Sequence, residues 1–147
     1  MSRASKQEQP DEAHQWPASV DKATVEAMGK LSEALETTER ARGHLYAFHQ
    51  LTGGADLALG DAVRLLREAG HEEAAGLLET EVVGRNVIPG HWTFQIIEAY
   101  NATYYRPFAA VEEKIRGDLV QGREHLYEAW MKEDRRTHGH PDHTARP

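Results

Sequence analysis

The sequence has nine histidines and no cysteine, so the chemistry open to it begins with where the imidazoles stand. His91, Phe94, Glu98, Asn101 and Tyr105 recur at three- and four-residue steps, which on a helix place them on one face, with Trp92 beside them. An imidazole, a carboxylate and a carboxamide among aromatic rings are the composition of a ligand pocket: mostly apolar, with a few fixed polar groups. His91 falls at an expected helix N-terminus, where the dipole disfavours a cation and a neutral ring can act as base or ligand. In this reading Glu98 orients His91, Tyr100 and Tyr104 form the wall, and Trp92 is a further candidate ligand-binding residue. Arg42 and His49, seven residues apart on an earlier helix, face the same space, with Arg42 pairing to Glu98 or Glu81. The competing reading makes the aromatics an ordinary boundary face and Arg42 part of a structural ion pair.

Other constellations are weaker. A carboxylate-bridged di-metal bundle of the ferritin type needs a Glu from each of two helices and Glu-x-x-His from each of two others. Glu33, Glu36 and Glu39 step along a helix, but the single Glu68–His71 spacing straddles Gly70, so no metal site and no cofactor is assigned. His138, His140 and His143 could chelate a metal, yet nothing around them fixes a geometry. Lack of cysteine removes disulfides and thiolate catalysis, and there is no Gly-rich phosphate loop, Gly-x-Ser-x-Gly or His-Glu-x-x-His.

The elements that must position these residues read as helices throughout. The first is expected from about Val20, capped by Ser19, to Leu51, with Met28, Leu31, Leu35, Leu45 and Phe48 in its stripe and Thr52-Gly53-Gly54 as its stop. A second runs from about Ala55 to Ala69 with Gly70 as cap, and a third from His71 to near Gly84. The fourth starts near His91 and reaches about Lys132, kinked at Pro107, because proline lacks the N–H and crowds the carbonyl one turn back. Gly43, in mid-helix, is read either as a close approach by another helix or a ligand or as carrying no meaning. The fold class is therefore all-α: an antiparallel bundle of about four helices, two long and two short. Residues 1–18 and 134–147, poor in large apolar side chains, read as flexible tails around a 19–133 domain.

The chain is 147 residues long with net charge −7. An acidic surface is unsuited to displacing counterions from nucleic acid or to holding an anionic membrane. No run approaches the ~20 apolar residues of a membrane span, and a cytoplasmic setting is expected. At about 1.5 Å per residue the long helices outrun the short ones, leaving Val111, Ile115, Leu119, Leu126 and Trp130 for a second subunit. The favoured function is thus a homodimeric interaction or scaffold module without chemistry of its own. The alternative is a small-molecule- or metal-binding bundle with its pocket at the start of the fourth helix.

Overall fold

The computed structural model describes residues 8–147, and the fold is all-α. A short 3-10 turn (Glu12–His14) precedes α1 (Lys22–Glu68) and α2 (Glu72–Glu81). Then α3 (Thr93–Tyr100), a π-helical turn (Asn101–Tyr105) and α4 (Arg106–Val120) form one helical run, and α5 (Leu126–Arg135) follows. Two long and two short helical runs result, but their limits differ from those expected.

Thr52-Gly53-Gly54 does not stop the first helix: α1 passes through it to Glu68. Glycine permits a left-handed cap without requiring one, and here helical hydrogen bonding on both sides outweighs a helix-propensity cost of about 1 kcal/mol per glycine. The true stop is Gly70 (φ 87°). The His71 N–H reaches Leu66 O at 2.8 Å and the Gly70 N–H reaches Arg67 O at 3.1 Å, which is the Schellman pairing. At the other end Asp21, not Ser19, caps the helix, its carboxylate accepting the Thr24 N–H at 2.8 Å. Ser19 instead has φ 77°.

The expected fourth helix is two. Helical backbone continues across Pro107, after a wide turn in which the Arg106 N–H bonds to Asn101 O, five residues back. It stops at Val120, because Gln121 (φ 56°) and Gly122 (φ 73°) turn left-handed and the Gly122 N–H closes on Arg116 O at 3.0 Å. Glycine in that place reads as a helix end, and the stripe beyond it belongs to α5.

The chain divides into two compact units. One comprises the residues up to Thr37 together with Pro107–Pro147; the other is Thr38–Arg106. In the first unit Val25, Met28, Val120 and Leu126 form a buried core, with Trp16, Val20, Leu31, Ile115 and Tyr127 packed on it. Val25, Met28 and Leu31 sit three apart, so one helical face supplies them. Gly29 lets the Tyr127 ring lie against the backbone: a Cβ there would be 2.7 Å from Tyr127 Cγ. Buried Glu112 is paired with Arg116 at 3.0 Å. Arg136, its side chain 1% exposed, binds Glu133 at 2.6 Å and Glu8 at 3.0 Å. Trp16 and Arg136 both lie in stretches expected to be tails. Residues 1–7 of the first such stretch fall outside the described part.

The second unit buries little. Val63, Ala75 and Ile97 are its buried hydrophobic residues, joined by Thr38 and Asn101. Asp56 on α1 accepts the Gly84 N–H at 2.8 Å and so ties down the end of the α2 segment. Among the described residues no protein atom lies within 4 Å of where a Cβ at Gly43 would stand, so no helix packs closely on it.

Candidate functional site

Within the second unit α1 and the π-helical turn converge on Arg42. Its Nε donates to Asn101 Oδ1 at 2.7 Å, and the Asn101 Nδ2 donates to the Tyr46 hydroxyl at 3.4 Å. The guanidinium carbon lies 4.2 Å from the centre of the Tyr105 ring and 5.6 Å from that of Tyr46, a cation–π arrangement. Glu39, one turn before Arg42, is 3.6 Å from its Nη1 and accepts a hydrogen bond from the Tyr105 hydroxyl. That bond, then burial and the Glu39 charge, raises the Tyr105 pKa above 10.0, against an opposing pull from Arg42. Asn101 and Tyr105 open and close the single π-helical turn, and π turns often occur at functional positions. The cluster holds one fixed cation, one carboxylate and two phenols around a buried carboxamide, so chemically it can present a directional donor or a phenol. Arg42 pairs with Asn101 and Glu39, correcting the expectation of Glu98 or Glu81.

Two turns beyond Arg42, His49 Nδ1 is 2.6 Å from Thr93 Oγ1. Beside that pair a cleft of about 500 Å³ opens, lined by Thr52, Gly53, Asp56, Val82, Trp92 and Thr93 among others. It lies between α1, the segment after α2 and the start of α3, and of the residues expected to line a pocket it includes only Trp92. His91 is exposed, and its Nδ1 lies 3.0 Å from Pro89 O, closing its own turn. Glu98 is exposed as well. Trp92 is 61% exposed and stands edge-on to Phe94 at 5.6 Å. Tyr100 and Tyr104 face each other at 5.6 Å, with Tyr104 exposed. Arg42 and His49 thus join two neighbouring polar groupings, whereas His91 and Glu98 stay at the surface. Glu39, Asp56 and Thr93 were not singled out for these roles: a Glu off the apolar stripe carries no sign in sequence that a tyrosine 66 residues later will reach it.

Among the residues expected at a subunit contact, Leu126 is buried and Ile115 packs on the first unit's core. Trp130 is half-buried, stacked near Tyr127 at 5.7 Å with the Lys22 ammonium 4.8 Å from its ring. Val111 and Leu119 are exposed. Among the described residues no three His, Asp or Glu side chains are grouped to hold a metal. His138 pairs with Glu133 at 2.8 Å, and His143 accepts the Thr137 N–H at 3.0 Å. No helix among the described residues is long and apolar enough to cross a membrane.

Fold and site together define an all-α chain with a thinly covered second unit. No protein-family model, curated protein or solved structure matches it.

Proposed function

We propose that this chain is a helical interaction module that works as a homodimer, and that its second unit carries the contact. One observation supports this above others. Of the fifteen large hydrophobic side chains exposed among the described residues, twelve fall between Thr38 and Arg106, among them Leu51, Leu57, Leu77 and Trp92. Apolar side chains left in water at this density in one unit suit a surface that another chain covers. The earlier choice of interface, along α4 and α5, is less favoured because Ile115 and Leu126 are already engaged in a core. Size-exclusion chromatography with light scattering tests the reading. The expected mass is twice that of one chain, falling on dilution; a single-chain mass at every concentration overturns it.

The cleft beside His49 and Thr93 favours a second reading, a small-molecule binder. Its wall joins the Trp92 ring, Val82 and the bare backbone of Gly53 to a carboxylate at Asp56. That arrangement suits a flat apolar ligand with one hydrogen-bond donor. The expected result is a compound that raises the melting temperature of the wild type but not of Trp92→Ala or Asp56→Asn. If no compound in a broad small-molecule library does so, this second reading fails.

A further inference from the structure

His138, His140 and His143 stand close together after α5, and the bonds that two of them make fix the state of their rings. The Thr137 N–H donates to His143 Nδ1 at 3.0 Å, and the Asp142 N–H donates to His140 Nδ1 at 3.1 Å. A backbone N–H can only donate, so each Nδ1 carries a lone pair and each ring is in its neutral Nε2–H form. An imidazolium has an N–H at both positions and can accept at neither. The two rings also lie 4.4 Å apart, centre to centre, so a cation on one disfavours a cation on the other.

His143 is the clasp of this segment. Its ring accepts from Thr137, and its carbonyl accepts from Arg136 Nη1 at 3.4 Å. Two turns lie between these bonds, with the His140 N–H on Thr137 O at 3.2 Å and the His143 N–H on His140 O at 3.0 Å. Residues 137–143 are thereby drawn into a closed loop. Beyond it Arg146 Nε donates to Gln9 O at 2.9 Å, and residues 144–147 form one wall of a cavity of about 330 Å³. Facing that wall are His14 of the 3-10 turn, His125 at the cap of α5, and Glu128 and Lys132 on α5. We infer that residues 137–147 are an acid-released strap: a proton on His143, and on His140 beside it, opens the loop and withdraws this wall from the cavity.

The charges around the clasp set the sign. Arg136, its side chain 1% exposed, holds a guanidinium at the His143 carbonyl and opposes a cation on that residue. Glu8 and Glu133 are engaged by the same guanidinium. Glu133 also takes His138 Nε2 at 2.8 Å, so a proton on His138 tightens its pair and holds the chain there while the part beyond it leaves. Asp142 is the one carboxylate inside the loop; it favours a cation on either ring and works against release. Across the cavity, protons on His14 and His125, beside Asp11 and Glu128, add positive charge to a wall where Lys132 already faces Arg146. The strap is held while Nδ1 of His143 is a lone pair and is lost as pH falls through the imidazole range, near 6.5 for an unperturbed ring. The Arg136–Glu133 pair fails only at lower pH, because the hydrogen bond from Arg136 holds Glu133 below its ordinary 4.5. Release therefore precedes any loss of the fold beneath it.

Nuclear magnetic resonance on the full chain reads this directly. At pH 7.5 the His143 ring is expected to show an unprotonated Nδ1, and the amides of residues 137–147 to be as ordered as those of α5. At pH 5 these amides should become mobile while α5 is unchanged, the released fraction rising on the order of tenfold for one lost hydrogen bond. In His143→Asn a carboxamide oxygen can accept from Thr137 and does not titrate, so the strap should stay ordered at both pH values. His140→Asn should reduce the acid release only in part. A proton on Nδ1 of His143 at pH 7.5 overturns the inference. So does a wild-type segment as ordered at pH 5 as at pH 7.5, or an acid release that persists undiminished in His143→Asn. Should His143→Asn be disordered throughout, the ring state and the acid release of the wild type decide the matter.

Discussion

The two units use one helix, α1, in opposite ways. Up to Thr37 its face is closed by Trp16, Val120, Leu126 and Tyr127, and Val25 is 1% exposed. From Thr38 onward it is packed along one edge, and Leu51 and Leu57 are 73% and 77% exposed. The polar groups differ in the same sense. Arg136 is enclosed with its carboxylates, whereas the Arg67 pairs with Glu72 and Glu79 stand in solvent. One unit is finished by its own chain; the other has the surface of something still to be covered.

Side-chain truncation should separate them most sharply. Leu126→Ala opens a cavity in the first unit and is expected to cost about 2–5 kcal/mol in a urea melt. Leu51→Ala acts at the surface, where substitutions change stability by about 0.5 kcal/mol or less, so its effect should appear in association and vary with protein concentration. An equal, concentration-independent loss in both would erase the contrast.

Glycine gives the next test. Gly29→Ala drives a methyl into Tyr127 and is expected to destabilise by about 1–3 kcal/mol through overpacking. Gly53→Ala and Gly54→Ala meet nothing within 4 Å and remove chain entropy, so each should stabilise by up to about 1 kcal/mol. Thermal melts of the three variants, read for sign, decide it.

A smaller effect concerns acid. A hydrogen bond from Arg136 holds Glu133 below its ordinary 4.5, and one from Arg67 does the same for Glu79. A lowered folded-state pKa contributes stability that is complete above the unfolded value and is lost as pH falls through the folded one. Both units should therefore weaken below about pH 4.5. Glu133→Gln should flatten that acid loss visibly and with little salt dependence. Glu79→Gln should change it less, and the change should vanish in high salt because the pair is exposed. Denaturant midpoints from pH 3 to 7 at two salt concentrations measure both; a larger effect at Glu79 would reverse the comparison.

Smallest is the phenol. Glu39→Gln removes the carboxylate that holds the Tyr105 proton, so the Tyr105 titration should fall back towards 10.0, visible by ultraviolet absorbance. An unchanged titration would mean that Glu39 does not set it.

How much of this was legible follows from range. The helical runs, the Gly70 stop and the presence of a polar grouping around Arg42 and His49 could be read from spacing, because period and capping act over a few residues. The grouping's membership could not. His91 and Glu98 would share a face if the helix began at His91, but α3 begins at Thr93, both residues are exposed, and the π-helical turn sets Asn101 and Tyr105 about Arg42 instead. Pro107 marked the neighbourhood of that turn without revealing how backbone hydrogen bonding would be redistributed.

Sequence alone determined that the chain is helical and acidic, and that its helices carry apolar stripes, since propensity, charge and periodicity are local properties. Tertiary structure decided which part of each stripe is covered. It also decided that Gly53 and Gly54 lie within a helix while Gly122 ends one, and that the stripe of α5 closes a core. A glycine allows several backbone conformations and an apolar face accepts many partners, so the choice falls to whatever packs against them.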